Sequence, residues 1–487
     1  MEKNVLAVDI GASSGRVMCA TYNGTIIRIE ELHRFSNDPV MVNKTMYWDV
    51  LRLYFEIKQG LIKGKQCGHI SSIGIDTWGV DFGLIDEEGN LLENPVHYRD
   101  ERTKGMIEES FKSMDKDVFY QITGNQFMEL NTAFQLLSLV KNRPNVLEGT
   151  HKLLLMPDLL NYFLTGKIVA ELSMVSTTQL MDAQKGVWSE EVTKALGIPM
   201  RILPDIVPSG TNLGPLKQEI CDELGLDNMD VIAVSGHDTQ SAMVSVPAKE
   251  KDFIFLSCGT WSLLGTELDR PFIHDKSHQY NITNEAGYDG KAAFLKNIVG
   301  LWCIQESRRQ WMREGETLEF GELEELALKA EPFKCFIDPD APEFIPSGNI
   351  PKRIRKYCER TGQLVPETKG EIIRCINESL AFKYREALEE IIDCTGIDYK
   401  KIYMVGGGIQ SKLLCQMTAS ASGRRVSAGP IEATVLGNVA IQLMASGDIK
   451  NLEEAREVIL RSQPITEYEP KDKAAWDEAY ERFKQLG

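Results

Sequence analysis

Short apolar runs, each ending in a carboxylate or in small polar residues, recur along the whole chain. These runs are rich in β-branched residues and about four residues long, which is typical of buried strands. Longer stretches with helical periodicity separate them, so the pattern predicts an α/β fold. The predicted strands cover residues 5–8, 73–76, 231–234, 253–256 and 402–405.

Two of these strands begin the same motif, which consists of a strand, a turn of small residues and a second strand. The first copy covers residues 4–22 and the second covers residues 253–266. This repeat predicts two related domains. Residues 247–252 are charged and helix-breaking, so we expect an N-terminal domain of residues 1–246 and a C-terminal domain of residues 252–487. The part that follows Glu453 is predicted to be an amphipathic helical appendage of the second domain.

The stretch from Val231 to Ala242 carries the most chemistry, because a buried strand leads through Ser-Gly into His237, Asp238 and Thr239. Open α/β sheets place their active sites at the carboxyl ends of such strands. Asp238 is therefore a candidate catalytic carboxylate. Asp is also a favoured helix N-cap, and the residues of this stretch alone do not decide between the two roles.

Carboxylates also follow two other predicted strands. Asp9 ends the first strand, where an unpaired buried carboxylate is costly and a metal ion or its water shell would satisfy it. Asp76, Trp78 and Asp81 combine an aromatic ring with carboxylates, as sugar sites commonly do. The alternative is that Trp78 belongs to the core and that both acids lie on turns.

Three consecutive glycines, residues 406–408, stand between a predicted strand and a predicted helix. This context favours contact with a nucleotide over a flexible linker, since backbone without side chains can lie flat against a ligand. The chain contains neither GxxxxGK[ST] nor GxGxxG, so neither a P-loop nor a dinucleotide-binding fold is predicted. A nucleotide would have to be held by the small-residue turns and the glycine-rich segment.

Composition limits the partners. With 54 Lys and Arg against 71 Asp and Glu, the net charge of −17 argues against nucleic acid or an anionic membrane as the main partner. The ten cysteines form no CxxC pair and are predicted to be reduced core residues. Asp9 ends the N-terminal apolar run before it reaches the length of a signal sequence, and no run is long enough to span a membrane, so we expect a cytoplasmic protein.

Taken in order, these motifs resemble those of the FGGY carbohydrate kinases over nearly the whole chain. The resemblance implies an α/β fold of two actin-like, ribonuclease-H-like domains with an interdomain cleft for ATP. It also implies Mg²⁺ as a cofactor and transfer of the γ-phosphoryl group of ATP to the 1-hydroxyl of L-rhamnulose. The motifs are VDIGASSGR (8–16), SIGIDTWGVDF (72–82), YRDERT (98–103), SGHDT (235–239), SCGTWS (257–262), LKNIVGLW (295–302), VGGG (405–408) and GPIEATVLGN (429–438).

The resemblance also implies roles for individual residues. Asp238 is expected to be the general base, because phosphoryl transfer requires a carboxylate that accepts the proton of the attacking hydroxyl. Asp9 would lie near Mg²⁺, through water. The residues expected to bind ATP are Ala12, Ser13, Ser14, Gly15, Arg16, Thr260, Gln305 and Gly407. The residues expected to bind the sugar are Gly79, His237, Asp238, Thr239 and Asn297, with Asp76, Trp78 and Asp81 as weaker additions.

Two other functions remain open from the sequence. The first is a kinase for another ketose, such as fuculose or xylulose, because only a few pocket residues would differ. The second is an actin-like ATPase without a sugar substrate. For the sugar kinase, the expected partners are L-rhamnulose and ATP, with no nucleic acid and no membrane, and the expected assembly is a monomer or a small homo-oligomer.

Overall fold

The computed structural model describes residues 2–486. Its strands are β1 Lys3–Ile10, β2 Ser14–Tyr22, β3 Ile27–Ser36, β4 Val40–Val42, β5 Thr45–Tyr47, β6 Ile70–Thr77, β7 Phe82–Ile85, β8 Lys152–Leu155, β9 Ala170–Glu171, β10 Met181–Asp182, β11 Val187–Trp188, β12 Ile206–Val207, β13 Thr211–Pro215, β14 Asp230–Ala233, β15 Ile254–Cys258, β16 Trp261–Leu268, β17 Thr283–Ala286, β18 Ala292–Val299, β19 Lys401–Val405, β20 Arg425–Ala428 and β21 Thr466–Tyr468.

The helices are α1 Val50–Gly64, α2 Met106–Ser110, α3 Lys116–Thr123, α4 Thr132–Asn142, α5 Pro144–Glu148, α6 Met156–Thr165, α7 Leu172–Ser176, α8 Glu190–Leu196, α9 Gln218–Leu224, α10 Asp238–Val244, α11 Asp275–Gln279, α12 Trp302–Arg313, α13 Phe320–Lys329, α14 Ile350–Arg360, α15 Lys369–Thr395, α16 Lys412–Ser422, α17 Ala433–Ala445, α18 Leu452–Ser462 and α19 Lys473–Phe483. Within residues 2–486, no helix combines the length and the apolar composition that crossing a membrane requires.

The chain forms two compact units that are not consecutive halves of the sequence. The first contains the residues up to Pro247 together with Glu267–Phe294 and Ala433–Gln463. The second contains Ala248–Thr266, Leu295–Glu432 and the residues from Pro464 onward. The two units therefore do not correspond to a single boundary in the sequence. The boundary at residues 247–252 stays a prediction of where one domain ends and the next begins.

The first unit is built on a sheet with the strand order β13-β14-β6-β1-β2-β3. Strands β1, β2 and β3 are antiparallel neighbours, whereas β6 and β14 run parallel to β1. Three strands therefore end at the same edge of the sheet.

Alternation along β1 explains how this sheet is covered on both faces. Leu6, Val8 and Ile10 point to one face, where α1 and α6 pack. Val5 and Ala7 point to the other, where the late helices α17 and α18 pack. A separate helical core of residues 82–203 includes α2, α3 and α4.

The second unit repeats the topology of the first. Its strands follow the order β18-β16-β15-β19-β20-β21, with β15 and β16 antiparallel and with β19 and β20 parallel to β15. The predicted internal repeat is therefore confirmed, since a hairpin followed by two parallel strands recurs in the same order. In each hairpin turn the first glycine donates to a carbonyl within the turn, Gly11 N to Ser14 O and Gly259 N to Trp261 O, each at 2.9 Å, but the second turn is one residue shorter.

Three sequence predictions differ from the structure. The apolar pattern from Asp115 to Gly225 predicts a largely helical region, but the structure also contains β8–β13 there, which are too short to show an alternating pattern. The N-cap of α10 is His237 and not Asp238, which is the first helical residue. Helix α16 does not follow the three glycines directly, because a 3₁₀ turn over Gly407–Gln410 comes first.

Candidate active site

The carboxyl ends of β1, β6 and β14 bring several polar residues to one edge of the first unit's sheet. Asp9 of β1 pairs in register with Asp76 of β6. Beyond the end of β14, the chain continues alongside β6, because Thr77 N donates to Gly236 O at 2.8 Å and Thr77 forms a bridge with His237. Asp238 follows at the start of α10.

Asp238 combines partial burial with access to solvent, since its side chain is 31% exposed. The Thr239 hydroxyl donates to Asp238 Oδ1 at 3.1 Å. Burial raises the pKa of Asp238, the charge of His237 opposes this rise, and the charge of Asp9 adds to it. A carboxylate of raised basicity with one accessible side is suited to accept a proton from a bound hydroxyl.

His237 is buried and held from both sides. Its Nδ1 lies 2.9 Å from Glu285 Oε2, and its backbone N–H donates to Ser173 Oγ at 3.2 Å. Its Nε2 lies 3.6 Å from Asp238 Oδ1. Burial alone would lower the pKa of His237, but the charge and hydrogen bond of Glu285, together with the charges of Asp238 and Glu171, raise it above its ordinary value.

Glu171 fixes the backbone that leads to His237. Its Oε2 accepts from Gly236 N and from Ser173 N, each at 3.0 Å, and its Oε1 accepts from the Ser209 hydroxyl. Burial raises the pKa of Glu171, and these donors oppose the rise. The segment that presents Asp238 is thus anchored by a buried carboxylate that the sequence did not reveal.

Asp9 is paired with Arg16, whose Nη2 donates to Asp9 Oδ2 at 2.6 Å across the hairpin of β1 and β2. Within the turn, Ser13 is exposed, while Ala12 and Ser14 are partly buried. Gly15 is buried, and a Cβ there would lie 2.3 Å from the Phe35 ring. Of the predicted phosphate loop, the exposed part is therefore centred on Ser13.

Asp76 is fully buried. Its Oδ2 accepts from Asn438 Nδ2 at 2.6 Å, whereas its Oδ1 has no hydrogen-bond partner among the described residues. Burial, and then the charge of Asp9, raises the pKa of Asp76 well above its usual range. Asn438 lies on α17 and in turn bonds Gln442, so a polar pair on an otherwise apolar helix supports this carboxyl group.

Trp78 and Asp81, predicted as additions to the sugar pocket, instead belong to a buried cluster. Asp81 Oδ2 accepts from Trp48 Nε1 at 2.6 Å and from Trp78 Nε1 at 2.9 Å, and its Oδ1 accepts from Gln135 Nε2 at 2.8 Å. The two tryptophan rings pack 4.1 Å apart. Burial raises the pKa of Asp81 to about 6 despite these donors. Both side chains are therefore occupied within the protein, which differs from the predicted contact with sugar.

This cluster positions Gly79. Val80 has a φ of +65°, and Asp81 N donates to Gly79 O at 2.9 Å, which closes a γ-turn around Val80. A γ-turn with positive φ is a rare and strained form, and a β-branched residue at its centre is an outlier. Thr177 Oγ1 accepts from Val80 N, and Thr132 Oγ1 donates to Val80 O. The surrounding hydrogen bonds thus hold the Gly79 backbone in one orientation.

The second unit brings together a separate group of the predicted residues. Thr260 lies in the turn between β15 and β16, and its hydroxyl donates to Gln305 Oε1 at 3.2 Å. Leu301 N donates to Gly259 O, and Gly300 N donates to Thr260 O, so the start of α12 is tied to this turn. Asn297 is partly buried on β18.

The three glycines follow β19, the parallel neighbour of β15, and have different roles. Gly406 has a φ of +87°, and a Cβ on Gly408 would lie 2.3 Å from Cys258 Sγ. Both residues are therefore glycine because of the local backbone and the packing against β15. Gly407 is exposed, and a Cβ there would meet no atom within 4 Å. Only the middle glycine faces open space.

Sequence reasoning missed Glu171, Glu285 and Asn438. The two glutamates contact Gly236 and His237 from positions far away along the chain, and nothing in their local sequence marks them. Asn438 did carry a signal, since Asn438 and Gln442 are polar residues four apart on an apolar helix. Such a pair indicates a buried hydrogen-bond network.

Magnesium can be tested against the donors present. Across residues 2–486, no three His, Cys, Asp or Glu side chains are grouped so that they could hold a metal ion. Mg²⁺ usually keeps most of its waters and contacts one or two carboxylates. Asp9, which is partly buried, provides the hard oxygen atoms that such a hydrated ion prefers, whereas Asp76 Oδ1 is unpartnered but fully buried.

Comparison with protein families decides the assignment. Residues 4–245 match the N-terminal domain of the FGGY family of carbohydrate kinases, and residues 254–446 match the C-terminal domain of the same family. The chain belongs to this FGGY family. It is therefore an enzyme, a sugar kinase, and members of the family use ATP as the phosphoryl donor.

Relatives of this FGGY chain include proteins named rhamnulokinase. That of Bacteroides thetaiotaomicron is 43% identical over 485 residues, which cover 99% of both chains. That of Halalkalibacterium halodurans is 42% identical over 469 residues, covering 96% of this chain and 99% of the relative.

Solved structures agree on the fold. A ligand-bound xylulose kinase from Lactobacillus acidophilus has a TM-score of 0.82 at 17% identity, covering 99% of this chain and 97% of that one. The glycerol kinase of Plasmodium falciparum with ADP has a TM-score of 0.77 at 18% identity, covering 99% and 98%. The predicted α/β class of two actin-like, ribonuclease-H-like domains is confirmed.

Proposed function

We propose that this FGGY kinase transfers the γ-phosphoryl group of ATP to the 1-hydroxyl of L-rhamnulose and releases L-rhamnulose 1-phosphate. The sugar is supported by the relatives named rhamnulokinase, which are 37–43% identical over at least 96% of this chain. The chemistry is supported by one observation above all. Asp238 is a partly exposed carboxylate of raised pKa at the carboxyl end of a parallel strand.

In this proposal Asp238 is the general base. It accepts the proton of the sugar hydroxyl as the hydroxyl oxygen attacks the γ-phosphorus, and the bond to the leaving ADP oxygen breaks. Gly79, His237, Thr239 and Asn297 bind the sugar. The Thr239 hydroxyl already donates to Asp238, so its proposed role includes orienting the base.

The ATP phosphates are proposed to contact the turn of residues 12–16 and Thr260. Arg16 supplies the positive charge that an acidic protein must provide locally, although Asp9 already pairs with it. Gln305 bonds Thr260, and Gly407 leaves open backbone, so both are proposed to contact the nucleotide.

Asp9 is proposed to hold Mg²⁺ through water. When bound, the ion would neutralise charge on the β- and γ-phosphates. Asp9 and Arg16 orient the phosphate loop from the strand side, whereas Asp238 alone accepts the proton.

The substrate is tested by measuring ATP consumption with L-rhamnulose, L-fuculose and D-xylulose at equal concentrations. We expect kcat/KM to be highest for L-rhamnulose. A higher value for another ketose would replace the proposed substrate, and rapid ATP turnover without any sugar would instead favour an actin-like ATPase.

The base is tested by Asp238→Asn. We expect this variant to fold and to bind ATP as the wild type does, but to lose about 10² to 10⁴ in kcat, because only the proton acceptor is removed. Isothermal calorimetry with ATP is the control for binding. Near-normal turnover would contradict the assignment.

A cytoplasmic location is also proposed. It is supported by the ten cysteines, which are scattered along the sequence without any CxxC pair.

A further inference from the structure

Glu285 is a buried carboxylate that the reaction described above does not use. It lies on β17 and is 4% exposed. Its Oε2 accepts from Gln240 Nε2 at 2.8 Å and lies 2.9 Å from His237 Nδ1. Taking a carboxylate out of water is costly, and a neutral glutamine of the same shape would fill the same space. The chain thus carries a buried charge at the histidine next to the proposed base.

The contact with Glu285 determines how His237 is oriented. A carboxylate can only accept hydrogen bonds, so the proton between the two side chains belongs to Nδ1. The other ring nitrogen, Nε2, is then directed to the side of Asp238, whose Oδ1 lies 3.6 Å away. That separation is too long for a hydrogen bond but short enough for strong electrostatic interaction.

The charge of His237 matters because Asp238 has few other sources of stabilisation. Burial and the negative charge of Asp9 both favour the protonated, inactive form of Asp238, and Asp76 stands near the same group. The charge of His237 opposes them, together with the hydrogen bonds from Thr239. Besides Glu285, the acidic groups that favour the cation on His237 are Asp238 and Glu171.

We propose that Glu285 is a positioning residue for the kinase reaction: it binds His237 through Nδ1, directs Nε2 toward Asp238, and so keeps the base in its ionised form. This inference rests on the proposed role of Asp238 as the general base. Glu285 itself touches neither substrate nor phosphate in the proposal and acts only through the imidazole.

The test compares pH profiles of kcat/KM for the sugar in the wild type and in Glu285→Gln. The glutamine keeps the shape and can still bond the ring, but it removes the charge. His237 then becomes cationic less often, so Asp238 takes up a proton at higher pH. We expect the acidic limb of the profile to move up by about one pH unit, with the KM for ATP unchanged. Glu285→Asp, which restores the charge, should move the limb back toward its original position.

Two controls separate this role from a structural one. Glu56→Gln is a matched variant, because Glu56 is also a buried glutamate bonded to a histidine, with His33 Nε2 at 2.6 Å, but on α1. We expect no shift of the acidic limb in that variant. In a His237→Asn background, Glu285→Gln should add no further shift, since the group through which it acts is gone.

A uniform loss of kcat/KM at every pH, or a shift that persists without His237, would overturn the proposal. The wild type gives a second measurement, for which a variant is needed only to assign the His237 signal. Nitrogen-15 NMR of histidine-labelled enzyme, with His237 assigned by its loss in His237→Asn, should show Nδ1 protonated across the neutral range. A protonated Nε2 with a bare Nδ1 would also overturn it. Failure of the base itself would appear separately, as normal turnover in Asp238→Asn.

Discussion

Helices α10 and α17 of the first unit approach each other closely at Gly437. Gly437 on α17 faces Ser241 on α10 so closely that a Cβ would lie 1.7 Å from the Ser241 carbonyl oxygen. Real Cβ atoms essentially never approach other heavy atoms within 3.0 Å, so Gly437→Ala forces the two helices apart by at least about 1.3 Å. The obstacle is backbone, which cannot rotate away.

Such a displacement affects both stability and catalysis. Overpacking costs about 3 kcal/mol when neighbouring groups cannot yield. Asp238 precedes Ser241 by less than one turn on the seven-residue helix α10, so it moves with the contact. A misplacement of about 1 Å can cost on the order of 100-fold in rate. We therefore expect a lower free energy of unfolding together with a kcat/KM about two orders of magnitude below that of the wild type.

The assay pairs urea unfolding with steady-state kinetics on the same preparation. Gly321→Ala is the matched control, since Gly321 also lies in a helix, α13, but a Cβ there would meet nothing within 4 Å. That variant should be slightly more stable than the wild type and equally active, because alanine is the better helix former. If Gly437→Ala kept wild-type stability and turnover, the described contact between α10 and α17 would be wrong.

Two further predictions concern the Trp78–Asp81 segment. Val80→Gly should lower the free energy of unfolding less than Val80→Ala does, because only glycine adopts a positive φ without strain. At Val231, which is buried in β14, Val231→Gly should instead be the more destabilising of the two substitutions. The same order of stabilities at both positions would contradict the strained turn. The pKa of Asp81 in the folded state, about 6, lies above its value in the unfolded chain, so protonation of Asp81 stabilises the folded state. This contribution to the free energy of unfolding is complete below about pH 4 and is lost as the pH rises through 6. Wild type should therefore lose roughly 1 kcal/mol relative to Asp81→Asn between about pH 5 and pH 7.5 in urea unfolding, and an unchanged difference would mean that Asp81 does not titrate there.

The sequence was informative where one local pattern determines the structure. Apolar β-branched runs predicted the strands that contain Val5, Val231 and Ile402, and the repeated hairpins predicted the repeated topology. Asp238 was identifiable because a strand end and a helix start meet there. Each of these signals is contained in one short stretch of the chain, so it can be recognised without a structure.

Other features depend on contacts between distant segments. Glu285 reaches His237 from a later strand, and Asp81 is enclosed by Trp48 and Gln135, so its burial cannot be deduced from its own neighbours. For the same reason, no local pattern indicates that Ala433–Gln463 belongs with the first unit. Composition and spacing describe each segment, but not which remote segment will cover it.

The late return of the chain affects how the protein is made on the ribosome. One face of the first sheet, with Val5 and Ala7, is covered by α17 and α18, which lie more than 400 residues downstream. At a synthesis rate of about 5 to 20 residues per second, that apolar face waits roughly 20 to 90 seconds for its cover. The nascent N-terminal unit therefore exposes this apolar face until translation is nearly complete, and transiently exposed apolar surface of this kind favours aggregation.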